Sequence, residues 1–230
     1  MKKTRSIEII PTYVPSDEGD LARGAKQISE FADSIHVDVD DGAFAPVVTW
    51  PYTAKGVVGD FDLKSLGDLR TEVHLMIEEP GEVGMLFARA GAVRIVGHIE
   101  GFSNTTEAHA ALDLWRRNGA EAGLGILLGT PFEVLEPLIK ACDVVHMMSI
   151  ATIGTQGITY ESEAPTRIAA FHAKYPDMLI SVDGGVAESN IAELARAGAR
   201  RFGVGSAISK APNPASAYAK IKVLAESAIL

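Results

Sequence analysis

Apolar runs of strand length recur along the chain, each separated from the next by a stretch of helical periodicity or a gap of helical size. Strands are expected near Ile7–Tyr13, Ser34–Asp40, Thr71–Ile77, Val93–Ile99, Ala122–Leu128, Val144–Ile150, Met178–Asp183 and Arg201–Gly205. Helix-like segments between them include Glu107–Asn118, Pro131–Lys140, Glu161–Lys174, Glu188–Ala197 and Ala215–Leu224. Asn118-Gly119 and Ala197-Gly198 supply glycines where helices end, and Thr130-Pro131 supplies an N-cap before a first-turn proline. Eight strands alternating with helices in 230 residues predict an α/β fold, a single (β/α)8 TIM barrel over residues 1–230. An open doubly wound sheet is the alternative. Its glycine-rich signature is absent, because Pro11-Thr12-Tyr13-Val14-Pro15 follows the first apolar run.

Three of these runs carry polar residues in a strand setting. In Ile35-His36-Val37-Asp38-Val39-Asp40-Asp41-Gly42, alternation puts His36, Asp38 and Asp40 on one face and the aliphatic residues on the other. Val73-His74-Leu75-Met76 and Val182-Asp183-Gly184-Gly185 repeat the pattern. In a barrel the C-terminal strand ends form the active face, so His36, Asp38, His74 and Asp183 would converge there. Two imidazoles and two carboxylates suit one divalent ion per chain, Zn²⁺, Fe²⁺, Mn²⁺ or Co²⁺. Gly184-Gly185 after the seventh strand and Gly205-Ser206 after the eighth are candidates for phosphate binding through backbone N–H groups.

Composition narrows the setting. The net charge of −9, without a basic run, argues against nucleic acid and anionic membrane surfaces as partners. The one cysteine, Cys142, excludes an internal disulfide and fits a reducing cytoplasm. The apolar stretch Ile7 to Ile10 is too short for a signal peptide, and no run approaches the roughly 18 apolar residues of a membrane span. A cytoplasmic homo-oligomer is expected.

The motifs together resemble the ribulose-phosphate 3-epimerase family over nearly the whole length. His36-Val37-Asp38-Val39-Asp40-Asp41-Gly42-Ala43-Phe44-Ala45-Pro46 is similar to the family's His-Leu-Asp-Val-Met-Asp-Gly-His-Phe-Val-Pro. Val73 to Met76, His98-Ile99-Glu100, Val182 to Val186 and Gly205-Ser206-Ala207-Ile208 match further family segments. The resemblance implies a metal-dependent isomerase of carbohydrate metabolism, of the pentose phosphate pathway, acting on a phosphorylated ketose. It also implies that Asp38 and Asp183 are an acid/base pair on opposite faces of the substrate, and that Met76 and Met148 cover the intermediate. Gly154 and Gly157 would help at the phosphate end. Epimerisation beside a ketone needs one proton-carrying group on each face, and a metal to stabilise the enediolate.

The departures from the family pattern concentrate at substrate contacts. Pro15 stands where the family has a substrate-binding serine, and Asp40 where it has a methionine. Thr152-Ile153-Gly154-Thr155-Gln156-Gly157 replaces Pro-Gly-Phe-Gly-Gly-Gln, and Leu127-Leu128-Gly129-Thr130-Pro131 lacks the polar or proline positions usual there. A different ketose phosphate, such as a 6-phosphate ketohexose, is therefore an alternative substrate. A non-catalytic sugar-phosphate-binding barrel is the alternative to an enzyme. A decarboxylase of a related barrel type would carry Asp-x-Lys-x-x-Asp, whose nearest approach, Asp62-Leu63-Lys64-Ser65-Leu66-Gly67-Asp68, misses the spacing. His146 is expected to be a satisfied core histidine. His109, His172, Glu78-Glu79 and Arg116-Arg117 are expected at the surface. Trp50 and Tyr52 fit either a lid over the site or a plug that packs their loop down.

Overall fold

The computed structural model describes residues 6–154 and 157–230. Every expected strand forms, within two residues of its expected bounds or closer. In chain order, β1 (Glu8–Tyr13), α1 (Glu18–Ile28) and β2 (Ser34–Asp40) are followed by a small hairpin, β3 (Tyr52–Ala54) and β4 (Val57–Val58). Then come β5 (Arg70–Met76), α2 (Pro80–Ala90), β6 (Arg94–His98), α3 (Thr105–Arg117), β7 (Glu121–Ile126) and β8 (Val144–Met148). The chain continues through α4 (Ala164–Lys174), β9 (Leu179–Asp183), α5 (Ile191–Ala197), β10 (Arg201–Val204), α6 (Ser206–Ser209) and α7 (Pro214–Ser227). Eight strands close in the order β1-β10-β9-β8-β7-β6-β5-β2, all parallel, as a βαβ alternation requires. The open-sheet alternative is thereby excluded. No helix among the described residues is long and apolar enough to cross a membrane.

The two faces of each strand go to two different interiors. Val37, Val39, Val73, Leu75, Ile95, Leu124, Ile180, Val182 and Phe202 face outward, in one buried cluster with Leu21, Phe87, Leu112, Trp115, Phe171 and Ile221 of the helices. Ile10, Met76, Val96, Val144 and Met148 are as buried but stand outside that cluster, inside the ring. Trp115 shows how tightly the outer layer packs. Its Nε1–H donates to the Gly81 carbonyl at 2.9 Å, and a Cβ on Gly84 would lie 2.4 Å from that nitrogen.

Several local expectations are corrected. The segment Phe132–Ala141 is 3₁₀ rather than α-helical, with Pro137 inside it removing a donor. Thr130 does not cap it; its side chain hydrogen-bonds Glu100 instead. The helix expected from Glu188 begins at Ile191, because Asn190 holds a turn before it, accepting from Ala187 N–H and donating to the Gly185 carbonyl, each at 2.9 Å. Trp50 and Tyr52 are plugs, 7% and 8% exposed, with the Trp50 ring edge-on to Phe61 and Phe87. His172 is half-buried against Gly198, whereas His109 is exposed as expected.

Candidate active site

The inward positions of the strands carry an unusual load of polar groups. The lower part of the barrel holds a charged cluster. Arg94 bonds Glu8 at 2.7 Å and Glu121 at 3.2 Å, while Arg201 bonds Glu8 at 3.0 Å, Glu121 at 2.8 Å and Glu72 at 3.4 Å. Glu72 shares the inward face of β5 with His74 and Met76. Its Oε1 lies 2.7 Å from His36 Nδ1, so the charged cluster is joined directly to the histidines above it. Burial opposes ionisation of Glu72, but the His36 hydrogen bond and Arg201 outweigh it and bring its carboxyl to about 2.

These bonds set which nitrogens face the centre. The Glu72 carboxylate accepts a hydrogen bond from His36 Nδ1–H, which turns Nε2 toward Asp38 Oδ1 at 3.1 Å. On β6, His98 Nδ1 bonds Glu100 at 3.3 Å, leaving His98 Nε2 as an acceptor. His74 Nε2 is 2.8 Å from it, and His74 Nδ1 lies 3.0 Å from Asp38 Oδ1. Burial, above all, holds His98 below the usual imidazole range, consistent with its neutral role in this chain. A histidine whose outer nitrogen is tied to a carboxylate is the usual support for a metal-binding histidine.

His36, His74, His146 and Asp183 come together, with one ligand atom of each within 4.8 Å of the others. Asp38 is not in that foursome, although its Oδ1 touches both histidines. His146 is satisfied on one side only. Its Nδ1 bonds Ser181 Oγ at 3.0 Å, while its Nε2 is buried with no partner among the described residues. This differs from the satisfied core histidine expected. Imidazole and carboxylate donors of this kind, with a ring nitrogen left over, fit a divalent ion. With no cation other than protons, burial opposes charge on His36, yet its bonds to Asp38 and Glu72 hold it well above the usual imidazole range. Burial and the neighbouring histidines hold His146 well below it.

The carboxyls divide in the same way. Burial opposes ionisation of Asp38, but the hydrogen bonds from His36 and His74 prevail and lower it to about 2. Asp183 lies on β9, three steps from β2 around the ring of eight strands, and so approaches the lumen from another side. Burial and the charge on Asp38 raise it above the usual carboxylate range. Asp40 is pushed up to about 8 by burial and by the charges of Asp38 and Asp41. Asp41 is structural: its Oδ1 accepts from Ala43 and Phe44 N–H at 2.7 and 2.8 Å, and its Oδ2 from Glu78 N–H at 2.9 Å.

Met76 and Met148 end β5 and β8, each 3% exposed, and Met148 stands in register with Asp183. Beyond them the mouth is rich in left-handed glycine. Gly184 and Gly185 have φ of 101° and 65°, and a Cβ on Gly185 would come within 3.0 Å of Tyr160. Gly154 and Gly157 have φ of 94° and 86°, while Thr155 and Gln156 between them lie outside the described residues. Gly205 precedes the short helix α6 and Ser206 is its first residue. The decarboxylase reading finds no support here, since Lys64 pairs with Asp62 at 2.6 Å on the surface, with Lys64 87% exposed.

Sequence reasoning did not assign roles to Glu72, Glu100 or Ser181. Glu72 carried a signal, since it alternates with His74 on the same strand. Ser181 acts through pairing with His146 across strands, which alternation does not reveal, and Glu100 through a local bond to His98 just past the end of β6.

Residues 8–209 match the family model described as the ribulose-phosphate 3 epimerase family. The chain is 33% identical to a ribulose-phosphate 3-epimerase of Synechocystis over 95% of this chain and 94% of the relative. It is 34% identical to one of Aquifex aeolicus over 86% and 87%. Among solved structures, 3-hexulose-6-phosphate synthase from Salmonella typhimurium superposes with a TM-score of 0.65 at 15% identity, covering 96% of this chain and all (100%) of that one. That likeness is one of fold. With a closed parallel barrel, polar strand ends and a family match over most of its length, the chain belongs to the ribulose-phosphate 3-epimerase family.

Proposed function

We propose that the protein interconverts the C3 epimers of a pentulose 5-phosphate, of the ribulose/xylulose type, with Asp38 and Asp183 as its two proton carriers. The observation that carries this is geometric: Asp38 on β2 and Asp183 on β9 are both buried and enter the lumen from strands three steps apart around the ring, on either side of the histidine cluster. Two carboxyls placed on different sides of one cavity can serve opposite faces of a substrate held between them. In one direction Asp38 removes the C3 proton from one face of the substrate and Asp183 delivers a proton to the other. In the reverse direction the roles exchange. Burial of both groups excludes water that would otherwise quench the enediolate, and Met76 and Met148 offer it a soft, weakly hydrating surface.

A divalent ion would be held by His36, Asp38, His74 and Asp183. When bound, it would supply Lewis-acid stabilisation of the enediolate oxygens. Glu72 and the His98–Glu100 pair orient the two histidines for that task. The glycines at 184, 185, 205 and the 154–157 segment support a phosphate end, where backbone N–H groups can approach an anion closely. Lys210 Nζ lies 3.9 Å from where a Gly157 Cβ would stand, which adds a positive charge near this end.

The test is direct. Protein loaded in turn with Zn²⁺, Fe²⁺, Mn²⁺ and Co²⁺ is offered ribulose 5-phosphate in D₂O. Epimerisation with deuterium appearing at C3 is expected. Absence of both with every metal would overturn the reading.

A further inference from the structure

Among the described residues, Asp40 is the one inward carboxylate whose two oxygens are both left without a hydrogen-bond partner. It is 0% exposed, and neither of its side-chain oxygens has a hydrogen-bond partner among the described residues. Its backbone, by contrast, is clamped, its N–H donating to Thr49 Oγ1 at 2.8 Å and its carbonyl accepting from Thr49 N–H at 3.0 Å. The neighbouring Asp41 uses both oxygens to hold its loop, so the chain does not lack donors at this strand end. A buried carboxyl without a partner is costly, and a thioether of similar reach, which the family pattern carries here, would not be.

The side chain belongs to the inward face of β2, at the strand's last residue. Asp40 stands in register with Met76, and a Cβ on Gly154 would lie 3.3 Å from Asp40 Oδ1 and 3.0 Å from Ala45 Cβ. Gly154 thus packs over the buried carboxyl without a side chain that would press on it. Asp40 shares the inward face of β2 with Asp38, two residues nearer the mouth, a separation of roughly 6.6 Å along a strand. Asp38 is assigned to the reacting carbon, so a group reaching Asp40 belongs to the part of the substrate flanking that carbon.

We propose that Asp40 is a specificity-determining residue, whose carboxyl hydrogen-bonds a hydroxyl that flanks the reacting carbons of a ketose phosphate. This rests on the epimerase reading of the site and extends it to substrate choice. A site built to bond a substrate hydroxyl rejects the analogue lacking it far more strongly than an apolar site does, because the protein group is then left buried and unpaired.

The experiment compares ribulose 5-phosphate with 1-deoxy and 4-deoxy ketose 5-phosphates, for the metal-loaded parent, Asp40→Met and Asp40→Asn. Exchange of the C3 proton is followed for each pair. The parent should prefer the full substrate to at least one deoxy analogue by about 10- to 100-fold in kcat/KM. Asp40→Met should lose most of that preference, chiefly through a higher KM for the full substrate, and Asp40→Asn should restore part of it. Asp40→Met should also raise the Tm of the ligand-free protein, because it removes an unpaired buried carboxyl. An active parent whose selectivity Asp40→Met leaves intact would overturn the proposal alone. So would an equal loss of kcat on all substrates. A parent inactive on every ketose phosphate would overturn the epimerase reading and this proposal with it.

Discussion

Glu72 Oε1 lies 2.7 Å from His36 Nδ1, and the other oxygen of the same carboxylate lies 3.4 Å from Arg201. One buried anion therefore joins the charged base of the barrel to one of the two histidines that contact Asp38. Glu72→Gln should destabilise the fold by about 3–5 kcal/mol, because Arg201 and Arg94 stay buried with one counter-charge fewer. It should also weaken metal binding about 10-fold or more by freeing the His36 ring. Urea unfolding and a metal titration measure the two effects, and an unchanged midpoint would contradict the first.

Metal content should separate the two candidate fourth ligands. His74→Ala should lose the ion. His146→Gln should keep stoichiometric metal, whereas Asp38→Ala should not, because Asp38 Oδ1 sits between nitrogens of His36 and His74. Elemental analysis of the three variants beside the parent decides it. Loss in His146→Gln with retention in Asp38→Ala would transfer the role to His146.

Asp38→Asn and Asp183→Asn should each abolish net epimerisation, with losses at or above the roughly 10²- to 10⁴-fold typical of a general acid or base. Asn keeps a ligating oxygen, so Asp183→Asn should retain more metal than Asp183→Ala. A variant with one remaining carboxyl should still exchange the proton on its own side. Solvent deuterium at C3, read beside the product ratio, distinguishes exchange from epimerisation. Near-parental epimerisation by either Asn variant would rule out the two-carboxylate mechanism.

Gly185→Ala should raise KM for the sugar phosphate and weaken competition by inorganic phosphate. The left-handed φ of 65° strains any residue with a Cβ, and a Cβ 3.0 Å from Tyr160 would press on that residue's backbone and side chain. Steady-state kinetics with added phosphate read this, and an unaltered inhibition constant would remove Gly185 from the anion site.

A pH effect is expected away from the site. Asp20 accepts from Ser16 N–H at 3.0 Å and from the Tyr13 hydroxyl at 2.9 Å, and the Ser16 bond, chiefly, lowers its carboxyl below the ordinary 3.8. A lowered folded pKa gives stability that is present above the unfolded value and is lost as pH falls through the folded one. Asp20→Asn should therefore cost on the order of 1 kcal/mol at pH 7, a difference that shrinks below about pH 4. Thermal melts of both proteins at pH 7 and pH 3 test it, and an equal gap at both would be inconsistent.

The barrel was legible because its strands are apolar runs with clear ends, and those runs suffer little competition from other structure. Alternation then brought out His36, Asp38 and His74, since a polar residue in such a run has to point somewhere. The hairpin at Tyr52–Val58 was not legible, because strands of three and two residues carry no period. The fate of Trp50 depended on Phe61 and Phe87, which are distant in sequence, and the 3₁₀ form of Phe132–Ala141 on a proline that a helical pattern absorbs. Nor could the chain order reveal that His74 and His98 would meet ring to ring, or that Arg201 would reach Glu72. Those contacts belong to the register of adjacent strands and to closure of the ring.

Closure also fixes when in the life of the molecule its chemistry can begin. Arg201 on β10 meets Glu8 on β1, so the last strand of the ring to be synthesised locks against the first. Asp183 enters on β9, shortly before. A nascent chain emerging from the ribosome holds His36, Asp38 and His74 early, but it gains the second acidic partner only when nearly the whole ring exists. Net epimerisation, which needs both carboxyls, therefore becomes available only once nearly the whole ring has been made.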